Sequence, residues 1–361
     1  AVEAQTIVSR ARIAVARLLN AADPRQVIFT AHGTDALNLA IHGLLDARGG
    51  HVVTTVVEHN SVLRPLRALA DAGRITLDVV ECDAAGIIAP DAVADAMRDD
   101  TRLVAATHAS NVTGALQPVA EICAIAHKHG ALSLVDAAQT LGEVPIDVEA
   151  LGVDLLAAPG HKGLLGPLGT GVLYFRRGVE RRVDCVRQGG TGSESHSDRQ
   201  PDDLPQKYES GNLNVPALAG LEAGVSFVLD RGIDAIRAHA ISLTAQLREG
   251  LHTIEGVTLF GPQSAHRSVG IVSMTLAGCD AHELAAILDG AYRIQARAGL
   301  HCAGAMHARL GTLEHGGTLR LSVGPFNTSE DIDATIAAVA TIAAETNCRI
   351  AITNDKEVAS Q

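Results

Sequence analysis

The segment Asp154–Phe175 reads Asp-Leu-Leu-Ala-Ala-Pro-Gly-His-Lys-Gly-Leu-Leu-Gly-Pro-Leu-Gly-Thr-Gly-Val-Leu-Tyr-Phe. An apolar run at Leu155–Ala158 is broken by Pro159-Gly160. A glycine-rich loop follows (Gly163, Gly166, Gly169, Gly171), and a second apolar run closes it at Val172–Phe175. Two strand-like runs therefore hold one lysine, Lys162, at the tip of a turn. Among apolar runs and glycines the neutral amine is favoured, because removal from water penalises the ammonium. A neutral amine is suited to a Schiff base with an aldehyde. Read alone, Lys162 is equally an ordinary loop lysine between two strands.

Val135-Asp136-Ala137-Ala138-Gln139, a short way upstream, shifts that balance. Ala131–Val135 is an apolar run of strand type with Asp136 at its carboxyl end, where ligands bind in open α/β sheets. An acidic residue at a strand end followed by a loop lysine is the pair that a pyridoxal phosphate (PLP) enzyme needs. The carboxylate keeps the pyridine nitrogen protonated, and the lysine holds the aldehyde.

The chain has 361 residues, 47 % hydrophobic and 19 % charged, which suits a soluble protein with one large or two moderate cores. A net charge of −12 without a basic run argues against a nucleic-acid surface. No stretch has membrane-spanning length and none resembles a signal peptide, so no membrane partner is expected. Six cysteines (Cys82, Cys123, Cys185, Cys279, Cys302, Cys348) lack any C-x-x-C spacing, which fits reduced thiols in a cytoplasmic protein. Aromatic content of 2 % requires an aliphatic core.

Taken in order, residues 1–20 read as a helix and Val27–Thr30 as a strand, and Gly33-Thr34-Asp35 opens the helix Ala36–Leu45. That helix start offers N–H groups and a hydroxyl to a phosphate, or Thr34 is a plain helix cap. Strands follow at His51–Val57, Ile75–Glu81 and Leu103–Thr107, alternating with helices, and the polar residues His59, Asn111 and Asp136 stand at successive strand ends. The alternation predicts an α/β fold with a large, doubly wound, mostly parallel sheet. Gln188–Gly211, rich in Gly, Ser, Asp and Pro, reads as a long functional loop. A boundary near 230 separates a large domain, 1–230, from a smaller α+β C-terminal domain, 231–361, which carries Cys302 and Arg320. In it Ser329–Ala344 reads as a closing helix, and Thr346–Gln361 as a polar tail expected to be poorly ordered.

With Asp136, Gln139 and Gly160-His161-Lys162 in place, the chain resembles the fold-type I, class V aminotransferase family. Within it the chain is most similar to cysteine desulfurases of the group II branch (Suf-type, selenocysteine-lyase-like). The resemblance runs from about Val27 to Val339. It rests on Thr-His-x-Ser-Asn at 107–111, Val-Asp-x-Ala-Gln at 135–139, Gly-His-Lys at 160–162, Arg-Ala-Gly-Leu-His-Cys-Ala at 297–303, and Leu-Arg-Leu-Ser with Phe-Asn-Thr at 319–328.

The resemblance implies PLP as cofactor and a role for each matching residue. Lys162 forms the Schiff base and moves protons, Asp136 pairs with the pyridinium, Gln139 bonds the ring oxygen, and His59 stacks on the ring. Gly33, Thr34 and His161 hold the phosphate, Asn111 positions the substrate adduct, and Arg320 grips the substrate carboxylate. Cys302 is implied as the thiolate that takes sulfur from a cysteine-like amino acid, releasing alanine and leaving a persulfide for a sulfur-acceptor protein. A thiol next to His301 and near Arg320 would have its thiolate favoured. The residues alone leave other readings open. Cys302 reads equally as a small buried hydrophobe, and Arg320 as an edge residue or half of an ion pair. A zinc site from His301, Cys302, His307 and His315 lacks ligand spacing, so no metal is expected.

The sequence departs from the family pattern in three places. Pro159 stands where a hydroxyl residue often precedes Gly-His-Lys, and Asn212 where a threonine usually reaches the neighbouring subunit's phosphate. An opening Asp-Asn-Ala-Ala-Thr-like motif is absent, so either a segment is missing or the pocket is built differently. A homodimer is implied. The expected activity is that of a cysteine desulfurase. A C–S or C–Se lyase on the same scaffold is the alternative, and an inactive interaction protein a third reading.

Overall fold

The computed structural model describes residues 2–193 and 196–359. Apolar runs bounded by glycine and proline become strands, and the stretches between them helices. The elements begin with α1 (Val2–Leu18), β1 (Val27–Thr30), α2 (Gly33–Leu45), β2 (Gly50–Thr55), α3 (Asn60–Asp71) and β3 (Ile75–Val80). Next come α4 (Pro90–Asp95), β4 (Thr101–Thr107), α5 (Val119–Lys128), β5 (Leu132–Asp136) and α6 (Val148–Leu151). β6 (Leu155–Pro159), β7 (Gly171–Phe175) and α7 (Val215–Arg231) follow. The chain ends with α8 (Ile233–His252), β8 (Val257–Phe260), β9 (Ile271–Leu276), α9 (Ala281–Tyr292), β10 (Arg297–Gly299), α10 (Gly304–Leu310), β11 (Thr318–Ser322) and α11 (Ser329–Ala359).

Two compact units result, and the division falls inside α8, between Arg237 and Ala238. The second unit also takes Ala84–Gly86 and Ser110–Leu116 from the earlier chain. In the first unit seven strands are ordered β1-β7-β6-β5-β4-β2-β3. Neighbours from β6 to β3 run parallel, whereas β7 runs antiparallel to both β6 and β1. Parallel pairs need crossover helices, which cover both faces and make the strands apolar throughout. The period of two is visible in the packing. Leu155, Ala157, Leu173 and Phe175 join the α2 and α3 cluster, while Leu156, Ala158, Val172 and Tyr174 join that of α1 and α7. Arg12 of α1 is tied by two 2.8 Å bonds to Glu209, and it also donates to the Val27 carbonyl.

The second unit carries an antiparallel sheet ordered β10-β11-β9-β8. Leu247, Leu251, Val272, Met274, Leu288, Leu319 and Val339 form its core. α11 continues to Ala359, past the Ala344 end expected from composition and through most of the tail expected to be poorly ordered. No glycine or proline lies between Ser329 and Ala359 to stop it.

The N-terminus of α2 is seated against the ends of β6 and β7. A Cβ on Gly33 would lie 3.1 Å from Pro159, and a Cβ on Gly171 would lie 2.5 Å from the His32 backbone. Gly171→Ala is therefore expected to destabilise the protein by about 1–3 kcal/mol, because backbone must move to admit the methyl. A urea midpoint equal to that of the wild type would contradict this close approach.

Candidate active site

Asp136 is the last residue of β5, paired with Thr107 of β4 and Ala157 of β6. Its side chain is 4 % exposed, and Oδ1 accepts from the Ala138 N–H at 2.9 Å. Burial pushes its carboxyl up from the ordinary range, against the opposing pull of Lys162 and of the Ala138 N–H. Lys162, partly buried in the β6–β7 connection, comes near Asp136 because two loops touch backbone to backbone. A Cβ on Gly142 would sit 2.1 Å from the Gly163 carbonyl oxygen, and one on Gly163 would sit 2.4 Å from that of Leu141. Glycine at both positions lets the Lys162 loop lie on the turn that follows Asp136. Gln139, on that same turn, is half-buried.

The starts of α2 and α3 meet beside this pair. His32 caps α2, its Nδ1 accepting from the Asp35 N–H, and His59 caps α3, its Nδ1 accepting from the Ser61 N–H at 3.0 Å. An accepting Nδ1 places the proton of neutral His59 on Nε2. Ser61 Oγ also contacts Thr34 Oγ1 at 2.7 Å, joining the first turns of the two helices. Among the described residues the N–H groups of Gly33 and Thr34 take no protein partner, and Thr34 is exposed, so this corner offers donors to an anion. His161 is exposed. Partial burial lowers its imidazole from the ordinary range, with the Lys162 and His32 charges adding to the effect. Asn212 is exposed on the loop before α7.

The remaining expected site residues, Asn111, Cys302 and Arg320, all belong to the second unit. Cys302 is exposed and unbridged, as are Cys82, Cys123, Cys185 and Cys279 unbridged. Its reading as a small buried hydrophobe is thereby excluded. His301 and Cys302 hold φ of +50° and +60°, two successive left-handed residues without glycine, at a cost of about 1 kcal/mol each. His301 is the anchor. Its Nε2 donates to the Thr318 carbonyl at 3.1 Å, and its own carbonyl accepts from Asn111 Nδ2 at 2.5 Å.

Adjacency in sequence suggests His301 as the partner that favours the Cys302 thiolate, and the structure corrects this. Burial pushes the His301 imidazole down to about 3, helped by the Arg320 charge, so it is neutral and tied to Thr318. The cation beside the thiol is Arg297, whose Nη2 lies 3.7 Å from Sγ. Arg297 faces Arg320 directly in the β10–β11 register. Arg320 Nη1 donates to the Asn111 carbonyl at 3.0 Å, while its buried Nε has no partner among the described residues. Burial, then repulsion from Arg297, pushes its guanidinium down to about 10. A half-buried guanidinium with an open donor suits a carboxylate ligand.

The aminotransferase class V family model matches residues 1–335. The chain belongs to the class V aminotransferase family. It is 39 % identical over 325 residues to a probable cysteine desulfurase of Methanothermobacter thermautotrophicus, covering 89 % of this chain and 80 % of the relative. It is 36 % identical to one of Halalkalibacterium halodurans, covering 90 % of this chain and 79 % of the relative. The apo structure of a cysteine desulfurase from Thermococcus onnurineus superposes with a TM-score of 0.89 at 31 % identity, covering 95 % of this chain and 85 % of that one.

This family is PLP-dependent, and the residues present fit that cofactor. Asp136 is a buried carboxyl with one backbone donor beside a lysine, a group that a bound pyridinium would satisfy. The α2 start, narrowed by Gly33 against Pro159, offers the phosphate two N–H groups and the Thr34 hydroxyl. Two contributors escape a sequence reading. Ser61 joins the first turns of α2 and α3 across 27 positions, and Arg297, opposite Arg320 in the β10–β11 register, reaches the Cys302 thiol.

The left-handed turn makes a direct test of this geometry. Cys302→Gly is expected to be about 1 kcal/mol more stable than Cys302→Ala, since only alanine carries a Cβ at φ near +60°. Equal denaturant midpoints would show that the turn relaxes once the thiol is gone.

Proposed function

We propose that this chain is a PLP-dependent cysteine desulfurase that converts L-cysteine to L-alanine and keeps the sulfur as a persulfide on Cys302. The observation that carries the reading is the exposed Cys302 thiol, held on a strained turn with the Arg297 guanidinium 3.7 Å away. The names of the similar proteins support cysteine as substrate.

PLP, when bound, supplies an electron sink for the pair left at the substrate α-carbon. Lys162 would hold the cofactor aldehyde, and its amine would carry a proton to and from that carbon. Asp136 would keep the ring nitrogen protonated, Gln139 would bond the ring oxygen, and His59 would stack on the ring. Gly33, Thr34 and His161 would hold the phosphate, and Asn212 would donate to it from the neighbouring subunit of a homodimer. Arg320 binds the substrate carboxylate through its open donor, and Asn111 positions the substrate. In the sulfur step the Cys302 thiolate attacks the substrate sulfur. An S–S bond forms, the substrate Cβ–S bond breaks, and the carbon fragment takes up protons to leave as alanine. The persulfide then passes to an acceptor protein or thiol.

Among the described residues no helix is long and apolar enough to cross a membrane. A reducing cytoplasm suits an exposed catalytic thiol. The second unit, with the Cys302 turn and Arg320, acts as the substrate and sulfur-handling domain.

Wild-type protein is expected to turn yellow with PLP, and Lys162→Ala to lose the borohydride-reducible link. No uptake of PLP by the wild type would end this reading. Cys302→Ala is expected to lose at least about two orders of magnitude on L-cysteine, roughly 3 kcal/mol of transition-state stabilisation, while retaining PLP. Mass spectrometry of the wild type after brief exposure to L-cysteine should add one sulfur to the Cys302 peptide. Undiminished turnover by Cys302→Ala would exclude the persulfide step and leave a C–S lyase.

A further inference from the structure

Glu58, between the end of β2 and the α3 cap, is fully buried. One of its oxygens carries all its bonds. Oε1 accepts from Thr55 Oγ1 at 2.6 Å and from the Thr107 N–H at 2.9 Å, whereas Oε2 has no partner among the described residues. Thr55 ends β2 and Thr107 ends β4, so a single carboxyl oxygen ties two neighbouring strand ends. Thr107 pairs in turn with Asp136, and its Oγ1 lies 3.3 Å from the Asp136 carbonyl.

Two carboxyls thus share one buried end of the sheet. A pair of buried like charges is costly, and Lys162 is the cation that acts on Asp136. The groups facing Glu58 are Thr55 from β2, Thr107 from β4 and the charge of Asp136 from β5, while its neighbour His59 turns Nδ1 to Ser61. No cation among them offsets a second negative charge. The two donors converge on Oε1, which leaves Oε2 to carry a proton.

We propose that Glu58 is a positioning residue: as a neutral carboxylic acid it joins the ends of β2 and β4 and leaves Asp136 the single carboxylate there. The proposal deepens the PLP reading and rests on it for the role of Asp136. Burial pushes the Glu58 carboxyl from 4.5 up to about 8, with Asp136 adding to the rise and the two hydrogen bonds opposing it. The consequence for stability has a definite sign. Below about pH 4.5 Glu58 is protonated in folded and unfolded chains alike. Between there and about pH 8 only the folded chain keeps the proton, so stability falls as pH rises, and above that range the loss is constant.

The test compares holoenzymes of wild type, Glu58→Gln and Glu58→Ala. Glutamine keeps the accepting oxygen and never ionises. At about pH 7 it should bind PLP within about twofold of wild type, while alanine should bind at least about tenfold more weakly. The melting temperature of Glu58→Gln minus that of wild type should rise by several degrees between about pH 5 and about pH 8. A glutamine variant as weak as alanine, or a temperature difference flat with pH, would overturn the proposal. Infrared spectroscopy of wild type against Glu58→Gln gives a second check: a protonated carboxyl band at about pH 7 that the glutamine variant lacks supports the proposal, and its absence from the wild type or its persistence in the variant refutes it. Failure of the wild type to take up PLP would sink the cofactor reading alone, since the pH profile still judges the state of Glu58.

Discussion

The Asp136 carboxyl, buried at the end of a parallel strand, is the constraint that orders the first unit. Placing an ionised carboxylate in a protein interior costs several kcal/mol unless charge and hydrogen bonds are supplied. One backbone N–H and Lys162 supply part of it. Bringing Lys162 there requires the backbone approach of Gly142 and Gly163, and through β6 and β7 the seat of α2 against Pro159 and Gly171. A change in any of these contacts reaches the carboxylate through rigid, packed backbone.

In the second unit the demand is to present a thiol to solvent without leaving its segment loose. Two successive left-handed residues turn Cys302 outward, and the strain is offset by bonds that bury His301 between Thr318 and the Asn111 side chain. Arg297 and Arg320 stand opposite one another on β10 and β11, so the turn, the two cations and Asn111 form one hydrogen-bonded group. A neutral, buried His301 is a structural pin here, and the positive charge comes from the arginines.

Much of this was visible in the linear sequence. Apolar runs of strand length ended by Asp136 and Pro159 predicted the sheet and its polar rim, because backbone periodicity and glycine or proline breaks act locally. Lys162 between two such runs and the motifs around Asp136 and Cys302 marked the candidate residues. Those features depend only on residue type and short-range order. Tertiary structure alone decided how these groups are charged and which neighbours they have. The adjacency of His301 to Cys302 was misleading, because a left-handed turn sends neighbouring side chains to different places. Ser61 joins the first turns of two helices and Glu58 ties two strand ends through contacts between residues distant in sequence, and Arg297 reaches the thiol five residues on only because the turn brings it back. Charge state follows burial, and burial is a property of the packed chain.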